Sequence, residues 1–189
     1  MSVADQLNQA GAVGVIPTDT VYGLAARAAD HAAVARLYEL KKRENKPGTI
    51  IAANIQQLEE LGLKHRYIKS VEEFWPGAVS VIIPAANPEL KYLHQGKMSL
   101  AVRIPDDKIL QEILKETGAL LTSSANHPDE PTATTIEQAK KYFGDKVDLY
   151  EDGGDLSERK PSTVIRIIDD AIEVLRPGAV PIDDDTMNS

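Results

Sequence analysis

Apolar residues along this chain switch repeatedly between a period of two and the helical period of about 3.6, so that short strands alternate with helices. "AVGVIP" (12–17) reads as the first strand, and "DHAAVARLYELKKRE" (30–44) as a helix with Asp30 as N-cap and Val34, Leu37 and Tyr38 facing inward. "GTIIAA" (48–53) is a strand, followed by the short helix "NIQQLEELG", capped by Asn54 and stopped by Gly62. "KHRYIKSVEEFW" (64–75) predicts a helix ended by Pro76-Gly77. "AVSVIIPA" and "MSLAVRIP" are strands, and "DDKILQEILKETG" is a helix between Asp106 and Gly118. Then come the strand "ALLTS", the helix "TIEQAKKYFG" and the strand "VDLYE". "STVIRIIDDAIEVLRPG" closes the pattern as two strands around an Asp169-Asp170 turn. Alternation of this kind predicts an α/β sandwich with no internal repeat or linker.

The length of 189 residues suits one domain, 1–189, with "PIDDDTMNS" as an acidic, frayed end over 181–189. The absence of cysteine excludes a disulfide framework, a thiolate metal site and a thiol nucleophile, and fits a reducing compartment. No basic leader precedes an apolar run, and no stretch of about 18 apolar residues occurs, so a cytoplasmic protein without a membrane partner is expected. A net charge of −8 argues against coating nucleic acid by bulk electrostatics, though a local basic patch can still bind an anion.

Three polar clusters beside apolar strands carry the candidate chemistry. "IPTDT" ends a strand in hydroxyls and a carboxylate. In "LLTSSANHPDEPTATT", Thr122, Ser123, Ser124 and Asn126 end another, where ligands of open α/β sheets gather and where turn chemistry also favours such residues. "KPSTVI" repeats the pattern. In "SLAVRIP" the period of two places Leu100, Val102 and Ile104 on one face and Ser99, Ala101 and Arg103 on the other. An arginine in mid-strand needs a partner or open solvent, and either a surface position or an ion pair satisfies that. "KKRENKP" leaves the first long helix with Lys41, Lys42, Arg43 and Lys46. Such a cluster complements a helix dipole or grips a polyphosphate. Neither G-x-G-x-x-G after a strand nor a Walker loop is present, so side chains must hold any phosphate. His31, His65, His94 and His127 have no metal-ligand spacing, and no protein-held metal is expected.

"PTDTVYGLA", "KKRENKP", "FWPGAVSVII", "SLAVRIPD", "TSSAN", "PSTVI" and "LRPGAV" occur in the order found in the YrdC/TsaC family, the L-threonylcarbamoyladenylate synthases, and the chain resembles that family over about 13–180. It looks like the short form, since it ends soon after "LRPGAV". Two departures stand out: "KKRENKP" replaces the usual K-x-R-P-x-x-K-[PG], being one residue shorter between arginine and lysine, and "HPDE" replaces x-S-G after S-A-N. The resemblance implies a twisted, mixed, open α/β sheet with flanking helices and a concave active-site surface. It also implies a nucleotidyltransfer in which L-threonine, bicarbonate and ATP give threonylcarbamoyl-AMP, pyrophosphate and water, feeding threonylcarbamoyladenosine modification of tRNA.

By the same resemblance, Arg43, Lys46 and Arg176 face the triphosphate, with Mg²⁺ brought by ATP, and Lys41 completes the K-x-R pair. Ser99, Asn126 and Thr134 are further nucleotide contacts. Arg103 pairs with the threonine carboxylate, and Thr20, Ser124 and Ser162 recognise its polar groups, while Tyr22 and Leu24 pack beneath. Lys41, Arg43, Ser124 and Asn126 form the catalytic set, and substitution of Lys41 or Arg43 is expected to spare the fold. The rivals are a YciO-like paralogue, a carbamoyl-adenylate handler of the hydrogenase-maturation kind, and an RNA-binding module using Lys64, His65, Arg66 and Lys69. Downstream tRNA or tRNA-modification proteins are the partners the resemblance suggests.

Overall fold

The computed structural model describes residues 1–42, 46–169 and 171–182. Its strands are β1 (Val13–Ile16), β2 (Gly23–Arg27), β3 (Thr49–Ile51), β4 (Val79–Pro84), β5 (Ser99–Arg103), β6 (Leu120–Ser124), β7 (Leu149–Tyr150), β8 (Thr163–Ile168) and β9 (Ala171–Arg176). They form one sheet in the order β7-β1-β2-β6-β3-β5-β4-β8-β9. The pairs β1/β7, β3/β5 and β4/β8 are parallel and the others antiparallel, which makes the sheet mixed and open as expected. Its helices are α1 (Val3–Leu7), α2 (His31–Lys41), α3 (Ile55–Glu60), α4 (His65–Lys69), α5 (Lys91–His94), α6 (Lys108–Thr117) and α7 (Ile136–Phe143). Among the described residues no helix is long and apolar enough to cross a membrane.

Several elements depart from the expected pattern, among them α5, which lies between two strands where no helix is expected. β2 is hidden from a periodicity argument because Gly23, Leu24, Ala25 and Ala26 are buried on both faces and three of them are small. Helix α1 is only five residues long, yet Ser2 and Asp5 close a capping box at its start, a signal the sequence carries. The helix expected over 64–75 is α4 followed by a separate 3₁₀ turn at Glu72–Phe74. Helix α2 begins at the predicted cap, where Asp30 accepts from the amides of Ala33 and Gly11, and these donors hold its carboxyl below the usual range. It stops at Lys41, because Lys42 takes the left-handed conformation with φ 46°. Arg43 and Glu44, the rest of its expected length, lie outside the described residues, as do Asp170 of the β8–β9 turn and 183–189 of the acidic end.

The two faces of the sheet are covered unequally, and that positions the site. Val13, Val15, Leu24, Ile50, Leu121, Val102, Leu100 and Val81 belong to the larger core, which also takes in Val34 and Leu37 of α2, Leu93 of α5 and Phe143 of α7. On the opposite face Ile16, Ala25, Ile51 and Leu120 pack with Leu7 of α1 and with Leu110 and Leu114 of α6. Along that second face the register aligns Ala25 with Thr122, Thr122 with Thr49, Thr49 with Ala101, and Ala101 with Ile82. Beyond the small apolar cluster this row forms the floor of a cavity. Strand alternation therefore turns Leu100 and Val102 into core and leaves Ala101 and Arg103 for the cavity.

Candidate functional site

Two cavities meet at Ser124. The smaller, of about 230 Å³, has the row Thr122, Thr49, Ala101 and Ile82 as floor, with Thr18, Thr20, Arg103, Ser123, Ser162 and Arg176 around it. The larger, of about 750 Å³, is lined by Lys41, Lys42, Lys46, Glu39, Tyr38, Ser124, Asn126, Pro128 and Asp129. The second volume lies within the range of about 300–1,000 Å³ usual for drug-sized ligands and the first below it, so the pair suits one large and one small molecule.

In the smaller cavity Arg103 is 4% exposed and ion-paired with Asp19, while its Nε is buried without a hydrogen-bond partner. A buried guanidinium lacking a partner on one edge is complementary to a carboxylate placed there. Thr18 donates its single hydroxyl hydrogen to the carbonyl of Val21 at 2.7 Å, so in its 3.0 Å contact with Thr20 it is Thr20 that donates. Thr20 Oγ1 is thereby left with lone pairs for a donor in the cavity. Across the floor the hydroxyls of Ser162 and Ser80 lie 2.8 Å apart, and Arg176 forks onto the Ser162 carbonyl through Nη2 (2.8 Å) and Nε (3.3 Å).

The turn after Arg176 holds Ser162 from the other side. A Cβ on Gly178 would lie 2.3 Å from the carbonyl oxygen of Pro161 and 2.5 Å from the carbonyl carbon of Ser162, both backbone atoms that cannot swing away. Gly178→Ala is therefore expected to displace the Ser162 segment and destabilise the protein by about 1–3 kcal/mol, measured by denaturant unfolding. A stability within about 0.5 kcal/mol of wild type would show that the segment yields freely.

The wall between the cavities is built around Lys41. It is 3% exposed, and its ammonium lies 2.7 Å from the carbonyls of Ser124 and Asn126 and from Asn126 Oδ1. Ser124 Oγ donates to the same Oδ1 at 2.7 Å, and Asn126 Nδ2 donates to the Glu130 carbonyl at 2.7 Å. This corrects the expectation that the buried side of α2 does not use Lys41: the helix's last residue turns inward and ties down the β6 loop. Lys46 is exposed, with its amide donating to Gln95 Oε1 at 3.2 Å.

The structure thus gathers Thr20, Arg103, Ser124, Ser162 and Arg176 around one cavity and Lys41, Lys46, Ser124 and Asn126 around the other. Arg176 lines the smaller cavity, not the larger. Ser99 and Thr134 line neither: Ser99 pairs with Pro84 at the far end of β5, and Thr134 contacts Gln138 Oε1 through its amide at 2.8 Å. Arg43 lies outside the described residues. Asp19 was not singled out from sequence, although the demand of a mid-strand arginine for a counter-charge pointed to a nearby acid. Tyr22 and Leu24 are fully buried beneath the site. The Tyr22 hydroxyl also donates to the Gly154 carbonyl and accepts from the Gly153 amide, both at 2.8 Å, and burial pushes its phenol up. Arg159 donates to the Thr18 carbonyl at 2.6 Å, so the loop after β7 is tied to the β1–β2 connection at two points, Thr18 and Tyr22. Among the described residues no three His, Asp or Glu side chains come together as a metal site.

The family model Sua5_yciO_yrdC, described as "Telomere recombination", matches residues 6–178. A Marinobacter nauticus protein named threonylcarbamoyl-AMP synthase is 32% identical over 173 residues, covering 89% of this chain and 91% of that protein. A Bacillus subtilis protein of the same name is 34% identical over 173 residues, covering 89% of this chain and 50% of its own length. The crystal structure of P. abyssi Sua5 complexed with L-threonine superposes with a TM-score of 0.84 at 28% identity, covering 98% of this chain and 56% of that one.

Proposed function

Because the chain belongs to the Sua5/YciO/YrdC family, we propose that it is a threonylcarbamoyl-AMP synthase, a nucleotidyltransferase that joins L-threonine, bicarbonate and ATP in the cytoplasm for tRNA modification. The observation that carries this reading is the pair of cavities meeting at Ser124, a small one with a partly unpartnered buried arginine and a larger one walled by lysines. The names of the relatives and the L-threonine held by the P. abyssi protein support it.

In this reading the threonine carboxylate meets Arg103 from the cavity side, and its amine and hydroxyl find Thr20, Ser124 and Ser162. Bicarbonate takes up a proton and loses water to give carbon dioxide, the amine nitrogen bonds to its carbon and releases a proton, and the resulting carbamate oxygen attacks the α-phosphorus as the bond to pyrophosphate breaks. Positioning and charge neutralisation supply the catalysis, and no protein nucleophile is needed. Lys46 faces the triphosphate, a role the family pattern also gives to Arg43, and Mg²⁺ arrives bound to ATP as part of that substrate. Lys41 acts by fixing Ser124 and Asn126 at the junction. Arg176, held on the Ser162 carbonyl beside the smaller cavity, is assigned to the nucleotide, as are Ser99 and Thr134.

Incubation with ATP, bicarbonate and each amino acid in turn, following pyrophosphate and the adenylate by mass, tests the proposal. Release that depends on threonine and yields threonylcarbamoyl-AMP is the expected result. Release indifferent to the amino acid, or none, would turn the reading to a YciO-like paralogue. For the RNA-binding alternative at α4, His65 pairs with Glu59 and Lys69 with Glu72 at the surface, and a salt-dependent shift with tRNA in the absence of ATP and threonine tests it.

A further inference from the structure

We infer that Asp19 makes the smaller cavity selective for a zwitterion: it holds Arg103 from behind and cancels its charge, so that a carboxylate is accepted together with an amine and poorly without one. The inference rests on the reading of this cavity as an amino-acid pocket. Asp19 pairs with Nη1 of Arg103, and the two side chains are 9% and 5% exposed. Arg103 lines the cavity and Asp19 does not, which puts the carboxylate on the guanidinium's protein side and leaves the arginine's cavity side to a ligand.

A cavity with a lone buried arginine would attract any small anion. Paired with Asp19, the same guanidinium keeps its hydrogen-bond geometry but offers a bare anion little Coulomb reward, because the aspartate opposes it across a poorly screened distance. A zwitterion is not penalised in this way, since its ammonium compensates the carboxylate and meets the acceptor that Thr20 Oγ1 presents. Arg176, the other cation lining the cavity among the described residues, is exposed and screened by solvent. Asp19 is thus a positioning and specificity residue that acts through Arg103.

The test compares threonine with 3-hydroxybutyrate, the same molecule without its amine, by calorimetry on the full chain. Wild type should bind threonine at least ten-fold more tightly. Asp19→Asn keeps an oxygen for Arg103 Nη1 and removes the charge, and should narrow that ratio by about ten-fold or more. An ion pair that serves only the fold would lower the melting temperature and weaken both ligands in proportion, and an unchanged ratio in Asp19→Asn overturns the inference. Equal affinity of wild type for the two ligands, or binding of neither, overturns it without any variant. If wild type discriminates and Asp19→Asn does not, yet wild type releases no pyrophosphate, this inference stands and the synthase reading falls.

Discussion

Lys41→Met is expected to lower threonine-dependent pyrophosphate release by about 10²-fold or more and to destabilise the protein at the same time. Methionine keeps most of the buried stem but removes the ammonium that three oxygens approach at 2.7 Å. The Asn126 and Ser124 carbonyls lose a charged donor in a part-buried wall, and leaving such acceptors unmet costs about 1–3 kcal/mol each. A net loss of about 3 kcal/mol corresponds, for a chain of this size, to a fall of roughly 6–12 °C in melting temperature. Activity falls further than stability because the freed oxygens belong to the loop that separates the two cavities, and a misplacement of about 1 Å there is enough to spoil an in-line attack. Thermal unfolding together with pyrophosphate assays below the variant's transition separates the two effects. A variant as stable as wild type would show that the lysine is no anchor, and near wild-type turnover in a folded variant would remove it from the site.

The second large effect is expected in substrate choice and at Arg103. Threonine should be preferred, serine should be weaker and valine nearly inert, because the hydroxyls of Thr20, Ser124 and Ser162, already bonded to Thr18, Asn126 and Ser80, keep lone pairs that a ligand hydroxyl can meet and a methyl group cannot. Sites built to bond a hydroxyl reject the analogue lacking it by up to about 10⁴-fold. Arg103→Ala should raise the threonine KM by about 10²-fold while leaving the ATP KM close to wild type, since the arginine lines the smaller cavity and not the larger. This variant strands Asp19 in a nearly buried position, so some loss of stability accompanies it. Initial-rate measurements with each substrate varied in turn read the split. Valine turning over as well as threonine, or a threonine KM unmoved in Arg103→Ala, would place the amino-acid pocket elsewhere.

These two residues also show why local sequence carries some roles and hides others. Lys41 stands in a run of cations at a helix end, and by composition it is one of several equivalent charges. Its distinction is rotational: Lys42 in the left-handed conformation stops the helix and Lys41 is turned toward β6, a contact between residues 83 and 85 positions apart. Arg103 announces itself more clearly, because an arginine on an alternating strand has to be accounted for. Its partner Asp19 is 84 positions away, and only the folding of the β1–β2 connection over the sheet brings them together.

What the sequence determined by itself is the set of elements whose signals are local: the alternation in β5, the apolar runs of β4 and β6, the caps at Asp30 and Asn54, and the ordered motifs that identify the family. Periodicity even assigned the two faces of β5 correctly, since side-chain direction in a strand follows from the backbone alone. The tertiary structure decided what depends on pairing across the chain. Strand β2, too small and too evenly buried to show a period, becomes a strand because β1 and β6 hydrogen-bond to its two edges. The cavity floor exists because the register of β6, β3, β5 and β4 sets Thr122, Thr49, Ala101 and Ile82 in one row where the helices α1 and α6 do not reach. A register is a relation between distant segments, fixed by which faces must be buried, and no single stretch of residues encodes it.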